Sequence, residues 1–342
     1  MTTTGAAVDF TAAVGALDSA RSVTILCHIQ PDADTLGSGL ALAAVLDRRG
    51  VPVRVSFAEP AEPAAGLRTL PGMRFLVPPG EVPAEVDLLV TVDCGSAGRL
   101  GALADRLPGA SRTLVIDHHR SNTRFGEINL IDPDAVSTAS VITALLDAWG
   151  EPIDAGIAHC LFAGLATDSG SFRWVTPGTH ALAERLLATG IDGAAITRTL
   201  MDTHPFAWLQ MLSTVLASAR LDRAAHGGTG LVAAFVLATD LAEVRQEEAE
   251  SVVDIVRATA EAGIAAVFKE ARPTDDRRRW TVSLRSKDSG PGTGDGADVA
   301  AVAAGLGGGG HRYAAGYTTY GEPADILAQL RTALGRRASA RE

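Results

Sequence analysis

The sequence predicts an α/β protein with an N-terminal domain built on a parallel sheet with helices on both faces, a helical connector, and a smaller α/β domain at the C-terminal end. Short β-branched apolar runs alternate with stretches of helical period through the first half, the pattern of strands joined by crossover helices. Strands return from Leu231 with a different spacing, after a stretch that reads as consecutive helices. The 342 residues also suffice for two cores, at roughly 150 residues per domain. The expected boundaries are residues 1–190, 191–222 and 223–342.

Taken in order, Val23 to His28 is a strand, and Leu36 to Arg49 carries Leu, Ala and Val at helical spacing until Gly50 stops it. The loop between them holds His28, Asp32 and Asp34. Val51 to Phe57 is a second strand, and the Pro- and Gly-rich stretch from Glu59 to Gly80 reads as loop. Asp87 to Asp93 is a third strand, Leu100 to Arg106 a short helix, and Arg112 to Asp117 a fourth strand. Ser137 to Trp149 and Ala155 to Thr167 are helical by period, and the second runs into Asp168. Helices continue from Gly178 to Ala217. Beyond them come strands at Leu231 to Leu237, Gly263 to Phe268 and Trp280 to Arg285, with a helix at Glu247 to Arg257. A short apolar helix from Ala297 leads into the run Gly307 to Gly310, followed by His311. Four consecutive glycines leave backbone amides accessible to a phosphate, whereas Gly290 to Gly296 reads as a mobile loop. Gly335 to Glu342 reads as a frayed tail.

Polar residues fall at the carboxyl ends of three strands: His28, Asp93, and the run Asp117-His118-His119. Ligands of open parallel sheets bind along that edge, so one shared site is expected there. His28, Asp32, Asp34, Asp93, His118 and Asp168 together offer four carboxylates and two imidazoles. Carboxylates this close resist joint ionisation unless water, as in a solvated Asp-rich turn, or a cation neutralises them, and the set could hold two divalent ions with one acid bridging. Oxygen and imidazole donors without thiolate favour Mn²⁺, with Mg²⁺, Fe²⁺ or Co²⁺ as alternatives. Two such ions would activate a water for displacement at phosphorus, which is phosphate-ester hydrolysis.

The formal net charge is -10, from 30 Lys and Arg against 40 Asp and Glu, which excludes the broad basic field of a protein that grips long duplex nucleic acid. Only Lys269 and Lys287 are lysines. Cys27, Cys94 and Cys160 lie far apart in apolar runs and are expected to be reduced and buried. Neither a secretory leader nor an apolar run of ~18 residues is evident, so a soluble cytoplasmic protein that does not enter a membrane is expected.

The ordered motifs H-x-x-P-D-x-D-x-x-G-S, V-D-C-G, D-H-H and L-A-T-D-S-G-S-F resemble the DHH phosphoesterase superfamily. G-G-G-G-H-x-x-A-A-G resembles the DHH-associated C-terminal domain, and the two resemblances span nearly the whole chain. The compact layout is similar to the NrnA-type members, which act as nano-RNases (oligoribonucleases) and 3',5'-bisphosphate nucleotidases and, in some actinobacterial members, hydrolyse cyclic or linear dinucleotides such as c-di-AMP and pApA. The resemblance implies that His28, Asp32 and Asp93 hold one Mn²⁺ and that Asp34, Asp93, His118 and Asp168 hold the other. It further implies that His119 meets the scissile phosphate while Asp117 orients an imidazole. Arg285 and Ser286, with Gly308, Gly309, Gly310 and His311, would hold the substrate's terminal phosphate and base. A short substrate bridging the domains and a homodimer are implied as well. The Gly290 to Gly296 insertion departs from the compact form of the family.

Rival readings are a pyrophosphatase of the same metal chemistry and a regulatory module that binds c-di-AMP without turnover. A processive RecJ-like exonuclease would need a further strand-binding domain or a basic stretch. The lone histidines His159, His180, His204 and His226 read as structural or surface residues, and Arg277-Arg278-Arg279 as a solvated turn. Arg173 and Trp174, downstream of Asp168, fit either a base-stacking role or core packing.

Overall fold

The computed structural model describes residues 9–244, 246–271, 277–287 and 296–338. The Gly290 to Gly296 loop lies outside them apart from Gly296. Two compact units divide the chain, Met1–Thr203 and His204–Glu342.

The first unit runs α1 (Thr11–Asp18), β1 (Val23–Cys27), α2 (Ala33–Arg48), β2 (Val53–Ser56), β3 (Val86–Val92), β4 (Ala110–Asp117), β5 (Ile128–Ile131), α3 (Thr138–Trp149), α4 (Ala155–Asp168), α5 (Thr179–Leu187) and α6 (Gly193–Met201). Its five strands are all parallel, in the order β2-β1-β3-β4-β5. Ile25 at the middle of β1 pairs with Val55 on one side and Val90 on the other. Strand order reverses between β1 and β3, and such a reversal opens a crevice beyond the carboxyl ends of the two strands. His28 follows β1 and Asp93 follows β3, so both stand at this switch point.

Alternation along the strands decides which side chains meet which layer. Ile25, Leu88, Val90, Leu114 and Ile116 pack against α1 to α4 in the main core. Leu26 and Leu89 turn the other way, onto Leu100 and Leu103 of a 3₁₀ segment over Ala97–Gly109. That segment covers the short helix expected at Leu100 to Arg106 and is wound as 3₁₀. Gly101 breaks it with φ 57 and ψ -137, and Pro108 removes a donor. β5 was not expected, because Ile128–Ile131 is too short to show a period.

Helix α2 begins at Ala33, three residues before the apolar period starts. Asp32 is its N-cap, accepting from the amides of Asp34 and Thr35 at 3.0 Å each. Asp34 therefore belongs to the first turn of a helix, which corrects its assignment to the loop. Helices α2 and α4 pack closely: a Cβ at Gly37 would lie 2.4 Å from the Cys160 carbonyl oxygen, and one at Gly164 would lie 2.6 Å from Asp34 Oδ1.

All three cysteines are free and buried, and burial pushes the thiols of Cys27 and Cys160 up to about 12. No helix among the described residues is long and apolar enough to cross a membrane.

The second unit runs α7 (Phe206–Ala217), β6 (Arg220–Asp222), β7 (Leu231–Val236), α8 (Val252–Val256), β8 (Ile264–Glu270), β9 (Arg279–Ser286), α9 (Val299–Gly305), β10 (Gly309–His311), β11 (Ala314–Tyr320) and α10 (Pro323–Ala338). The sheet order is β10-β11-β9-β8-β7-β6, with β7 and β8 parallel and the other neighbours antiparallel. One face packs Phe268, Trp280, Val282 and Leu284 with Val299 and Val302 of α9 and Ile326 and Leu330 of α10. The other packs Ala265 and Val267 with Met211 and Val215 of α7 and Val252 and Val256 of α8. The stretch 191–222 is thus shared, α6 packing on α4 of the first unit and α7 entering the core of the second. Helix α10 extends through Gly335 to Ala338, so the first residues of the expected frayed tail are helical.

Because a methyl at Gly37 collides with backbone rather than a movable side chain, Gly37→Ala is expected to destabilise the protein by about 1–3 kcal/mol. Urea unfolding of the variant against wild type measures this.

Candidate active site

The switch point gathers the predicted site residues of the first unit. Asp93 adopts a left-handed backbone (φ 59) just past β3, and its amide donates to Ile116 O of β4 at 2.9 Å. Its carboxylate reaches two imidazoles, with Oδ2 lying 3.4 Å from His28 Nε2 and Oδ1 lying 3.6 Å from His118 Nε2. The Thr138 hydroxyl donates to the same Oδ1 at 2.8 Å. Burial opposes ionisation of Asp93, but the His28 hydrogen bond and the charges of His119 and His118 hold its carboxyl well below the usual range.

Around this acid the remaining donors fall into two groups. His28, Asp32 and Asp93 bring ligand-type atoms within 4.8 Å of one another, and so do Asp34, Asp93 and His118. Asp93 belongs to both. Asp168, at the end of α4, places Oδ2 3.3 Å from His118 Nε2 and so joins the second group. Asp34 is buried, with its two oxygens accepting from the amides of Thr138 and Ala139 at 2.7 and 2.8 Å, at the start of α3. Burial, with Asp93 and Asp168 nearby, raises its carboxyl well above the ordinary range despite those two amides. For His28 burial disfavours the cation, yet Asp32 and Asp93 prevail and push it up to about 10. Hard oxygen atoms and imidazole nitrogens with no thiolate form a donor set that suits a hard or borderline divalent metal.

The imidazole nitrogens that face away from the acids are also held. His28 Nδ1 lies 2.8 Å from Ile29 O, and His118 Nδ1 lies 3.2 Å from Ala135 O. Such partners fix ring orientation at metal sites. Asp117, fully buried, accepts from the His118 amide at 2.8 Å, from His119 Nδ1 at 2.7 Å and from Asn122 Nδ2 at 2.6 Å. Asp93, Asp117 and His119 also form a close group, and within it both Asp117 oxygens carry hydrogen bonds from the His118 amide, His119 and Asn122. Burial disfavours the His119 cation, but Asp117 and Asp93 outweigh this and raise it to about 9.

Beyond Asp168 the backbone makes an unusual turn. Gly170, Ser171 and Phe172 have φ of 59, 56 and 62, a left-handed turn that costs about 1–2 kcal/mol at each non-glycine position. It is held by Ser171 N to Ala166 O at 2.8 Å, by Phe172 N to Ser169 Oγ at 3.1 Å, and by the Phe172 ring between Phe162 and His180.

Within the second unit, Arg285 and His311 stand on β9 and β10. Arg285 Nη1 donates to Leu284 O at 3.1 Å, and Nε lies 3.9 Å from Asp254 Oδ1. Ser286 turns its hydroxyl inward, donating to Ala297 O at 2.7 Å. The glycine run divides between two tasks. The Gly307 and Gly308 amides bond Ala304 O and Ala303 O and so close the end of α9, while Gly309 and Gly310 lie with His311 in edge strand β10. Only glycine fits at 308, where a Cβ would lie 2.1 Å from Gly316 O. The expected open cradle is therefore a helix cap followed by a strand.

Residues 22–165 match the DHH family, N-terminal domain. A Thermus thermophilus protein, bifunctional oligoribonuclease and PAP phosphatase NrnA, is 31% identical over 301 residues, which span 87% of this chain and 84% of that one. This chain belongs to the DHH phosphoesterase family. Like other NrnA-like members it is a hydrolytic phosphoesterase. The Bacillus subtilis protein of the same description is 27% identical over 149 residues, 42% of this chain and 45% of its own. An exopolyphosphatase-related protein from Bacteroides fragilis shares the fold over 99% of both chains, with a TM-score of 0.82 at 21% identity.

Several residues that shape this DHH site escaped the sequence reading. Thr138, Asn122 and Gly164 contact or support the acids, and Arg99 places Nη2 3.0 Å from His28 Nδ1. Ser137-Thr138 at the head of an apolar helical period is a capping signal that could have located the first of them. Thr138→Val and Asn122→Ala are each expected to lower kcat/KM by about 10–100-fold while leaving the unfolding midpoint within a few degrees. Steady-state kinetics and thermal melts on the same preparations test this.

Proposed function

We propose that the protein is a metal-dependent phosphoesterase that hydrolyses short oligoribonucleotides, linear and cyclic dinucleotides (pApA, c-di-AMP) and 3'-phosphoadenosine 5'-phosphate (pAp) to nucleoside monophosphates. The observation that supports it most is the Asp93 carboxylate, which offers one oxygen toward His28 and the other toward His118. That is the arrangement required of a ligand shared by two ions. His28, Asp32 and Asp93 would hold one divalent ion, and Asp34, Asp93, His118 and Asp168 the other. Mn²⁺ suits this donor set best, with Mg²⁺, Fe²⁺ and Co²⁺ as alternatives. Bound there, the pair would supply Lewis-acid activation of a water and neutralise the charge of the phosphoryl group.

The remaining work falls to the chain's own groups. Asp117 accepts a hydrogen bond from His119 Nδ1 and fixes the ring, so Nε2 is the atom through which His119 would protonate the leaving oxygen. Asn122 bonds Asp117 Oδ2 and the Cys94 carbonyl, and so ties the holder of His119 to the end of β3. In the second unit Arg285 and His311 would take the substrate's far phosphate and base, with Gly309 and Gly310 keeping the strand beside His311 free of side-chain bulk. Ser286 and Gly308 would act through the backbone positions they hold. The acidic net charge agrees with short substrates, since long nucleic acid is held by a broad positive field. A cytoplasmic homodimer is part of the same proposal and rests on the family resemblance.

Mn²⁺-loaded protein is expected to release AMP from pAp, pApA and c-di-AMP and mononucleotides from a two- to five-residue RNA. No release from any of them would defeat the proposal. Asp93→Ala is expected to lower turnover by at least about 10³-fold, and calorimetric titration with Mn²⁺ should show the loss of both strong sites.

A further inference from the structure

We propose that Trp174 is the stacking platform for the nucleobase next to the scissile phosphate, a reading that rests on the nucleotide substrate class proposed above. The left-handed turn at residues 170–172 delivers this side chain. Trp174 N donates to Ser169 O at 3.0 Å, which anchors the residue to the position next to Asp168. Its indole lies against Gly170 so closely that a Cβ there would fall 2.0 Å from Trp174 Cζ3. Contact with bare backbone covers part of the ring, yet Trp174 remains 43% exposed. Arg173 adds a positive charge, with Nε donating to Gly170 O at 2.8 Å and the guanidinium carbon 5.9 Å from the indole centroid.

A large apolar ring is ordinarily buried, and here it is held half in solvent by a strained turn that follows Asp168. Strained backbone that displays one side chain at a reaction site is a recurrent means of positioning. The acids and imidazoles recognise a phosphoryl group only and cannot tell a nucleotide from any other phosphate ester. An indole face adds a contact to the base at the scissile end, distinct from the far phosphate and base assigned to Arg285 and His311, since every nucleobase presents a π-surface and stacking tolerates any sequence. Trp174 would thus select nucleotides as a class, without preference among bases.

The experiment compares Mn²⁺-loaded wild type, Trp174→Ala and Trp174→Phe on pAp and on ribose 3,5-bisphosphate, which carries the same phosphates without a base. Trp174→Ala is expected to raise KM for pAp about 10-fold or more, to leave kcat within a few-fold, and to leave ribose 3,5-bisphosphate turnover unchanged; Trp174→Phe restores most of the loss. Equal losses on both substrates, or no change on pAp, overturn the proposal. AMP titration followed by tryptophan emission gives an independent readout. Quenching that Trp174→Phe abolishes and Trp208→Phe retains supports the platform, whereas no quenching in wild type, or quenching that Trp174→Phe retains, overturns it. Wild type that hydrolyses no nucleotide defeats the substrate class instead, and the emission titration still decides whether Trp174 binds a base.

Discussion

The site depends on keeping the Asp93 carboxylate buried and ionised between His28 and His118. Removing such a charge from water costs several kcal/mol unless neighbours compensate it. The sheet supplies that compensation from three directions: His28 at the end of β1, His118 at the end of β4, and the Thr138 hydroxyl at the start of α3. The same geometry demands the left-handed backbone at Asp93, since an extended residue would continue β3 and carry the carboxylate past the crevice. Asp34 meets the first amides of α3 with both oxygens, yet burial beside Asp93 and Asp168 still raises its carboxyl well above the ordinary range.

How much of this could be read from the sequence follows from where the information resides. Strand-end residues announce themselves, because an apolar run that stops at an acid or a histidine marks both the element and its carboxyl end. His28, Asp93 and Asp117 to His119 were legible on that ground, and they stand at the carboxyl ends of β1, β3 and β4. Asp168 was legible as the polar end of an apolar helix. Its approach to His118 depends on the packing of α4 against α2, and Gly37 and Gly164 within those helices look unremarkable in sequence. Asp34 was misplaced because burial of the whole first turn of α2 hides the point at which the helix begins.

The second unit shows the opposite limit. Four glycines in a row imply exposed amides when read locally, and at 307 and 308 those amides bond the last turn of α9. The need for glycine at 308 comes from Gly316 and Tyr317 on β11, a strand whose mixed composition hid it from the period analysis. Close backbone approach and phosphate binding leave the same signature in a sequence. Only the pairing of β10 with β11 separates them. The fold of each unit was therefore more legible than the task of any single glycine within it.

Two of the buried cysteines adjoin residues of the proposed metal site, Cys27 before His28 and Cys94 after Asp93. In the folded chain their sulfurs turn into the core, toward Thr35 O and Val92 O, and burial keeps them as thiols. Thiolates at those positions would attract zinc or copper in preference to a harder ion. An unfolded chain exposes both sulfurs beside the same imidazole and carboxylate, and so presents a soft chelator that the native state withholds. Burial of these two sulfurs therefore leaves oxygen and imidazole atoms as the donors that face the cluster.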